Sequence, residues 1–517
     1  MSWHEEVEGI RARRETARAM GGPERVARQH DRGRLTIRER IGGLVDEGSF
    51  TEIGQIAGTA TYTDGTLTSF VPDPYVAGLA KLNGRDVVVA GEDFTVRGGS
   101  GAGPGQRNKR DVAFAMAREY RVPVVQLLDG AGASIASIES MGRSYLPNSK
   151  DWSDPLKLLG EVPMIGGIMG AVAGGIAAYA LLTHWTCMVR GAELFAAGPA
   201  IVKRAIGMDV TKQELGGTDV HVRRSGVADN EAVDEKDCFA QIVTFLSYLP
   251  QSVWELPPYV ETGDRADRRE EELLTIIPHE SRRGYDMRHL VNLVVDEGSF
   301  FEVKPYFGKC VITALARLNG HVVGVVANDP MFQAGAVDAA GADKTTHFME
   351  LCDTFRIPLI HFVDVPGFMI GPQAESTGTL RAGMRTLWLA HQITVPSIAV
   401  HVRRCYGMAG VATSTPANLG LRLGWPSGEW GSLPIEGGVE TAYRRLIAES
   451  PDPDRARAEI EARLKLMKSV FPVAEAFGVE DLIDPRDTRP LLIRYLEAAL
   501  PRLTHDLGPK PRYGVRP

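Results

Sequence analysis

Two glycine-containing segments carry the residue types best suited to chemistry in this sequence of 517 residues. VAGGIA at Val172–Ala177 and CYGMAG at Cys405–Gly410 each follow an apolar run that starts after a Val-Pro pair. We expect each run to be a buried strand and each segment to begin a helix. A helix start presents free backbone N–H groups and a positive dipole end, and glycine lets a ligand oxygen approach them. Both segments therefore predict a backbone site for negative charge.

A neighbouring turn is expected to supply a second donor at each site. The turns are DGAGA and DVPGF, and their candidate residues are Gly132, Ala133, Gly367 and Phe368. Two donors that converge on one oxygen form an oxyanion hole, which is often the largest electrostatic contribution to catalysis. The alternative is that the glycines only permit close packing of a helix on a strand. That alternative suits a single copy, whereas two copies at equivalent positions favour the oxyanion hole.

The whole chain contains an ordered internal repeat. DEGSFTEI at Asp46–Ile53 returns as DEGSFFEV at Asp296–Val303, 250 residues later. AKLNGRDVVVAGED, YRVPVVQLLDGAG and EVPMIGGIMGAVAGG are then followed in the same order by ARLNGHVVGVVAND, FRIPLIHFVDVPG and TVPSIAVHVRRCYGM, at an offset that drifts to about 233. Four ordered matches indicate a duplicated domain rather than chance likeness of apolar strands.

Each copy alternates short apolar runs with helical segments, which predicts an α/β fold with a mainly parallel sheet in each half. Between the copies, ETGDRADRREEE at Glu261–Glu272 is almost wholly polar. We therefore expect an N-terminal domain over residues 1–260 and a C-terminal domain over residues 261–517.

Composition excludes several classes of protein. The net charge of −7 gives no reason to expect a nucleic-acid partner. Five cysteines without a CxxC pair argue against a disulfide framework or zinc ribbon and suit a reducing cytoplasm. The charged start predicts no signal peptide. Met164–Leu182 has 19 uncharged residues, but its five glycines favour a buried element over a membrane span, so no membrane association is expected.

Five further motifs, read together, carry a resemblance to a known family. They are QHDRGRLTIRERI (Gln29–Ile41), EDFTVRGGS (Glu92–Ser100), ELGGTDVHVRRSGVAD (Glu214–Asp229), FVDVPGFMIG (Phe362–Gly371) and DPRDTRPLL (Asp484–Leu492). The chain resembles the carboxyltransferase (β) subunit of biotin-dependent acyl-CoA carboxylases, such as propionyl-CoA and methylcrotonyl-CoA carboxylase. This resemblance implies an α/β fold of tandem duplicated crotonase (ClpP-like) domains.

The resemblance also implies a role for each predicted hole. Gly174 and Gly175 would hold the thioester oxygen of an acyl-CoA as it becomes an enolate. Met408 and Ala409 would hold the ureido oxygen of carboxybiotin, so the N-terminal domain would be the acyl-CoA side and the C-terminal domain the biotin side. Transfer of the carboxyl group to the α carbon then requires positioning and two anion sites, with no metal in this chain.

Partners follow from the same resemblance. The sequence has no biotin-attachment motif of the AMKM type, so biotin would be carried by a separate carboxyl carrier and charged by a separate biotin carboxylase. Family members form hexamers in which each active site joins the N-domain of one subunit to the C-domain of another. We therefore expect a homo-hexameric core in the cytoplasm.

Some residues depart from the family pattern. The chain has DGAGASI at Asp129–Ile135, where the family usually has DSGGARI. It also has WPSGEWGSLPIEGG at Trp425–Gly438, where an AVMG motif is more usual. Gly410 and Val411 stand where Tyr and Asp are common in propionyl-CoA members, so Val411 is expected either to shape the acyl pocket or merely to pack the helix. Three alternative functions stay open: a malonyl- or methylmalonyl-CoA decarboxylase component, a biotin-free crotonase-like hydratase or hydrolase, and a non-catalytic scaffold.

Overall fold

The computed structural model of the chain describes residues 2–100, 108–132, 139, 142–144, 146, 152–280, 283–413, 419–465 and 469–511. The chain forms two compact units. The first unit runs up to Glu255 and takes up the chain again from Gly508, and the second is Leu256–Leu507. Each unit is built around one 8-stranded sheet.

The sheet of the first unit has the strand order β1-β4-β5-β6-β7-β8-β10, and β9 pairs with β7. A separate two-stranded sheet joins β2 and β3. The strands are β1 Thr51–Glu52, β2 Gly58–Thr63, β3 Thr66–Pro72, β4 Tyr75–Leu82, β5 Arg85–Glu92, β6 Val124–Gly130, β7 Met164–Ala173, β8 Trp185–Val189, β9 Glu193–Phe195 and β10 Asn230–Ala232.

Helices cover this sheet and connect its strands. The α-helices are His4–Arg18, Pro23–His30, Ile37–Leu44, Lys109–Tyr120, Ser153–Leu158, Gly175–Leu181, Pro199–Ile206, Lys212–Gly216 and Glu235–Ser247. A short 3-10 turn spans Arg97–Gly99, and a π-helical segment spans Asp219–Arg224.

The sheet of the second unit has the order β11-β12-β13-β14-β15-β16-β18, and β17 pairs with β15. Its strands are β11 Phe301–Val303, β12 Val311–Leu318, β13 His321–Asn328, β14 Leu359–Val365, β15 Ser397–Tyr406, β16 Leu421–Gly424, β17 Glu429–Gly431 and β18 Asp481–Leu482. Its α-helices are Met287–Val294, Ala339–Thr354, Pro372–Ser376, Thr379–Ala390, Gly407–Val411, Ile435–Ala442, Arg444–Ala448, Pro453–Lys465, Val470–Glu475 and Thr488–Leu503; 3-10 turns span Glu271–Leu274, Gln333–Gly335, Pro485–Asp487 and Thr504–Asp506.

The two sheets repeat one topology. In each, the first two pairs of neighbouring strands are antiparallel, and every later pair is parallel. The α/β class, the mainly parallel sheets and the internal duplication predicted from the sequence are confirmed. The long apolar stretch from Met164 becomes the buried strand β7 and the short helix Gly175–Leu181. In the part of the chain that the structure describes, no helix combines the length and apolar character needed to cross a membrane.

A two-residue Asn-Gly turn joins antiparallel strands at the same place in each sheet. Asn83 and Gly84 have φ angles of 49° and 80°, and Asn319 and Gly320 have 48° and 80°. Such positive φ angles suit a tight hairpin, and Asn and Gly tolerate them better than other residues. The turns fix the register of β4 with β5 and of β12 with β13.

The repeated DEGSF segments hold these turns in place. The carboxylate of Asp46 accepts both backbone N–H groups of the first turn, at 2.9 and 2.8 Å. The carboxylate of Asp296 accepts those of the second turn, at 2.9 and 2.7 Å. In each copy the serine three residues later also accepts a backbone N–H from the neighbouring strand. The repeated segment therefore meets one structural need, the pairing of backbone N–H groups that the tight turn leaves free.

One helix in each unit packs on the sheet with the same spacing of buried residues. The buried residues are Ile37, Arg40, Ile41 and Leu44 in the first unit, and Met287, Leu290, Val291 and Val294 in the second. Spacing of three and four residues places each set on one helical face. Arg40 thus occupies the position that Leu290 occupies in the other copy. A buried arginine requires charged partners, and Arg40 finds them in Asp129 and Glu235.

We predict that Asp296→Asn destabilises the protein more than the matched change Asp46→Asn. Asp296 is fully buried and accepts an N–H from the buried guanidinium of Arg489 at 2.8 Å, whereas Asp46 is partly exposed. Loss of one partner of a buried ion pair typically costs about 3–5 kcal/mol. Weakening the exposed turn should cost about 1 kcal/mol. Urea unfolding of the two variants checks this, and an equal loss of unfolding free energy in both would contradict it.

Candidate active site

The first glycine segment begins a short helix at the end of β7. Gly174 has φ of 59° and ψ of −130°, a conformation that favours glycine, and the helix Gly175–Leu181 follows. The N–H of Gly174 donates to the carbonyl oxygen of Phe195 at 3.3 Å. Gly175 is exposed, and a methyl group placed on it would meet no atom within 4 Å. Of the two expected donors, Gly175 is therefore the open one, and Gly174 sets the turn.

The turn after β6 approaches this helix start closely. Gly132 has φ of 78°, and a methyl group on it would lie 2.5 Å from the carbonyl oxygen of Ala173 and 3.4 Å from the Cα of Gly174. Only glycine permits that approach. The structure therefore brings Gly132 and Gly174 together, as expected for two converging loops. Ala133, expected beside Gly132, lies outside the described residues.

A buried carboxylate at the start of this turn is held by side chains of the core. Asp129 is fully buried and accepts N–H groups from Arg40 and Gln29, both at 3.0 Å. Arg40 also donates to the carboxylate of Glu235 at 2.9 and 2.8 Å. Burial opposes the charge of Arg40, but the bonds and charges of Glu235 and Asp129 raise its pKa. Gly170 makes room for this network, because a methyl group there would lie 2.0 Å from Asp129 Oδ1.

The second glycine segment also has a glycine of positive φ at the end of its strand. Gly407 follows β15 with φ of 58°, close to the 59° of Gly174, and the helix Gly407–Val411 begins there. Counted from these two glycines, Met408 corresponds to Gly175. The two residue pairs chosen from the sequence are therefore not equivalent. Gly174 and Gly175 correspond to Gly407 and Met408, one position before the chosen pair of Met408 and Ala409. Met408 is about half exposed at 49%, and Ala409 is buried at 3%.

The turn after β14 lies near this helix but contacts it differently. Gly367 has φ of 136°, and a methyl group on it would meet no atom within 4 Å, in contrast to Gly132. The ring of Phe368 packs against Gly383 of the helix Thr379–Ala390. Phe368 and Ala409 line the same cavity of about 40 Å³. The structure therefore brings Phe368 to Ala409 and leaves Gly367 open.

The second turn also rests on a buried carboxylate. Asp364 accepts bonds from Tyr285 Oη at 3.0 Å, from Arg403 Nε at 3.0 Å and from Arg404 Nε at 2.6 Å. Burial raises the pKa of the Asp364 carboxyl, but the hydrogen bonds and charges of Arg404 and Arg403 outweigh it, so its pKa lies below the usual value. Both arginines belong to β15, the strand that leads into the second glycine helix. The carboxylate therefore ties the turn to the helix start.

Sequence reasoning did not select Asp129 or Asp364 as site residues. Each lies near the end of a repeated strand, in LLDG and FVDV. The alignment of these two aspartates in the repeat was the signal that could have identified them. Their partners carry no such signal, because Arg40 comes from a helix near the N-terminus while Arg403 and Arg404 come from β15. Spatial proximity of this kind is not visible in the repeat.

A larger pocket of about 350 Å³ opens beside the second glycine helix. Gly407, Gly410 and Val411 form part of its wall, together with His401 and Trp430. Val411 is 50% exposed, so its side chain faces open space rather than the core of the unit.

The chemistry that these sites support is the binding of oxygen atoms by backbone donors. Each unit presents a helix start behind a glycine of positive φ, with a neighbouring turn held by a buried carboxylate. Such preorganised donors stabilise an oxyanion without a side-chain acid or base. Among the described residues, no group of three or more His, Cys, Asp and Glu side chains is arranged to hold a metal ion.

Comparison with known proteins identifies the family. Residues 28–511 match the carboxyl transferase domain. The chain is 37% identical over 501 residues to the propionyl-CoA carboxylase carboxyltransferase subunit of Haloferax mediterranei, which covers 95% of this chain and 96% of the relative. It is 34% identical over 496 residues to the methylmalonyl-CoA decarboxylase subunit alpha of Veillonella parvula, with 95% of each chain covered.

A solved structure shares the fold. The crystal structure of transcarboxylase 12S, described as a hexamer with methylmalonyl-coenzyme A and methylmalonic acid bound, matches with a TM-score of 0.87 and 34% identity over 97% of both chains. The two sheets described above therefore have the tandem crotonase-like arrangement that the sequence predicted. The chain belongs to the carboxyl transferase domain family and is a carboxyltransferase.

Proposed function

We propose that this carboxyltransferase moves a carboxyl group from carboxybiotin to the α carbon of an acyl-CoA. The observation that carries the proposal is the pair of glycine-led helix starts, Gly174–Gly175 and Gly407–Ala409, at corresponding positions of two units. Two oxygens gain negative charge in such a transfer, the thioester oxygen and the ureido oxygen. Two preorganised backbone sites suit that demand.

The first unit is assigned to the acyl-CoA and the second to biotin. Gly175, with the turn at Gly132, would bind the thioester oxygen and stabilise the enolate. Met408 and Ala409 would bind the ureido oxygen, with Gly367 and Phe368 at the rim. Biotin, when bound, supplies the carboxyl group and accepts the α proton, so the chain's own residues are asked to orient two ligands and stabilise charge.

The partners in this proposal are a biotin carboxyl carrier and a biotin carboxylase. The relative named as a propionyl-CoA carboxylase subunit and the hexameric transcarboxylase 12S structure support a multi-subunit enzyme with a hexameric core. A cytoplasmic location is part of the proposal because all five cysteines are free, which suits a reducing compartment. Cell fractionation checks the location directly.

A decarboxylase component is the second candidate, favoured by the relative from Veillonella parvula. It would run the transfer in the opposite direction, from a malonyl- or methylmalonyl-CoA to biotin. A biotin-free hydratase or hydrolase needs a carboxylate facing the first site. Asp129, the acidic residue that begins the adjoining turn, is fully buried against Arg40 and Gln29, which weighs against that function.

We expect the purified protein to carboxylate an acyl-CoA when it is given carboxybiotinylated carrier and a panel of acyl-CoAs. Streptavidin capture from native extract should recover the protein together with a biotinylated partner, and the purified protein should show a hexameric mass by light scattering. Carboxybiotin formation from malonyl- or methylmalonyl-CoA would favour the decarboxylase instead. Turnover that needs no carrier would overturn the proposal, and a monomer at micromolar concentration would overturn the hexameric core.

We predict that Gly175→Met impairs transfer without impairing the fold. A Cβ atom at this position meets no atom within 4 Å, and a methionine makes the first helix start resemble the second, where Met408 stands. It would cover the donor that the thioester oxygen needs, so we expect kcat/KM for the acyl-CoA to fall roughly 10–100-fold.

Gly42→Met is the matched control for this variant, because Gly42 is also exposed and helical, and a methyl group on it would likewise meet no atom within 4 Å. Both variants should unfold at the wild-type urea concentration. An active Gly175→Met protein would remove the first glycine segment from the mechanism.

We predict that Val411→Asp shifts acyl selectivity toward propionyl-CoA and away from longer or branched acyl-CoAs. The side chain of Val411 is half exposed on the wall of the 350 Å³ pocket, so a carboxylate there makes that wall more polar. Discrimination of this kind is typically worth about 1–3 kcal/mol. Relative kcat/KM over the panel measures it, with Val7→Asp on an exposed helix as control. An unchanged preference would show that Val411 only packs the helix.

A further inference from the structure

A largely buried arginine packs against the first glycine helix, Gly175–Leu181. Arg110 lies in the first turn of the helix that precedes β6, and its side chain is 13% exposed. Its guanidinium lies over the rings of Tyr75 and Tyr179, at 4.4 and 4.2 Å from their centroids. It also forms an ion pair with the carboxylate of Glu92. Arg110 therefore connects the ends of β4 and β5 to the first glycine helix.

The place of Arg110 in its own helix is unfavourable. A cation in the first turn faces the positive end of the helix dipole. Burial lowers the pKa of this guanidinium, but its interactions with Tyr75, Glu92 and Tyr179 outweigh burial and raise the pKa. A charge that is opposed by its own helix and by burial is typical of a position under a constraint other than local stability.

Arg110 also reaches the backbone of the first glycine helix through Gln126. The buried side chain of Gln126, on β6, accepts a hydrogen bond from Arg110 Nη1 at 3.5 Å and donates from Nε2 to the carbonyl oxygen of Tyr179 at 3.3 Å. The ring of Trp152 stacks on Tyr179, with centroids 4.6 Å apart. The helix is therefore held at Tyr179 by its side chain and its backbone, one turn after Gly175.

Glu92 extends this support to the turn after β6. A methyl group on Gly130 would lie 3.1 Å from Glu92 Cγ and 2.5 Å from the Cδ1 atom of Ile176, the residue that follows Gly175. One carboxylate oxygen of Glu92 bonds to Arg110, and the other is buried without a partner among the described residues. The orientation of Glu92 therefore depends on Arg110, and Glu92 in turn supports both walls of the first site.

A cavity occupies the matching place in the second unit. The repeated segments, the strand register and the two glycines of positive φ define which residues correspond to Tyr75, Glu92, Arg110, Gln126 and Tyr179. These residues all line the cavity of about 40 Å³ described above, and they are Val311, Asn328, Thr345, His361 and Ala412. The fold therefore forms a glycine helix without an arginine packed against it. The arginine and its four partners serve a need of the first site alone.

We propose that Arg110 is a positioning residue of the first site, which holds the open N–H of Gly175 where the thioester oxygen gains negative charge. It acts through Tyr179 and Glu92, without contacting the reacting atoms. The inference rests on the proposed function, because it assigns a role in the same transfer. A donor that must meet an oxyanion contributes more to the transition state than to substrate binding, so its displacement lowers kcat more than it raises KM.

The first test is Arg110→Met, which removes the charge and the planar group but keeps a long side chain. We expect kcat with carboxybiotinylated carrier and propionyl-CoA to fall roughly 10–100-fold, while KM for propionyl-CoA changes less than about threefold. Arg110→Lys keeps the charge without the planar stack and should recover only part of kcat. Arg118→Met is the matched control, because Arg118 lies on the same helix and is 42% exposed.

A double variant keeps the test decisive if Arg110→Met folds poorly. The single change leaves the carboxylate of Glu92 buried and unpaired, which is strongly destabilising. Glu92→Gln combined with Arg110→Met removes both charges, and this protein should unfold near the wild-type urea concentration. Its kcat should stay low, because the stack on Tyr179 is still missing. Wild-type kcat in the folded double variant would show that Arg110 only balances the charge of Glu92.

Infrared spectroscopy reports on the donor directly and needs no carrier. The probe is propionyl-CoA labelled with carbon-13 at the thioester carbonyl, whose stretching frequency falls when a donor bonds to the oxygen. We expect this shift in the wild-type protein and in Arg118→Met, and a smaller shift in Arg110→Met and in the double variant. A change in stability alone does not move this band. If no acyl-CoA is carboxylated, the proposed function fails, while the band still tests the position of the donor.

Two further results would contradict the inference. A rise in KM for propionyl-CoA with unchanged kcat in Arg110→Met would make the arginine part of the binding surface for the substrate. The same carbonyl frequency in the wild-type protein and in Arg110→Met would show that the first glycine helix keeps its place without the arginine.

Discussion

In this chain, two buried strands pass directly into short helices, and each does so through a glycine of positive φ. Gly174 and Gly407 adopt φ angles of 59° and 58° at the ends of β7 and β15. A side chain at either position would be strained. The exposed helix starts, and hence both candidate oxyanion sites, depend on this turn. The neighbouring loops are placed relative to it.

The two units support the same turn with different side chains. In the first unit a helix carries Arg40 into the core to reach Asp129, and the matched position in the second unit is Leu290. There the carboxylate of Asp364 receives its arginines from β15 itself. Both copies of the fold therefore have a buried aspartate before the turn, but the arginines that pair with it come from different elements. Removing one member of either network would leave a charge buried without compensation, which is strongly destabilising.

Much of the fold was predictable from the sequence because its signals are local. Short apolar runs bounded by Gly, Pro or Asp mark the strands, and their alternation with helical segments predicts the mainly parallel sheets. The glycine segments were likewise found from residue type and position. What local patterns do not contain is which distant side chains meet. The contact of Asp129 with Arg40 and the pocket that joins Val411 to Trp430 arise only when the sheet is assembled. The one-residue offset between the two glycine sites required backbone angles.

The differences between the two glycine sites are consistent with two different ligands. A methyl group on Gly132 would clash with the carbonyl oxygen of Ala173, so the first turn lies close against the backbone of its helix start, whereas Gly367 stands clear of its helix. The first helix start carries a glycine where the second carries Met408, and among the described residues a pocket of about 350 Å³ opens beside the second. A duplicated backbone supplies the same kind of donor twice. The side chains around each copy then decide which oxygen approaches it, so that one fold can place two unlike reactants by the same electrostatic means.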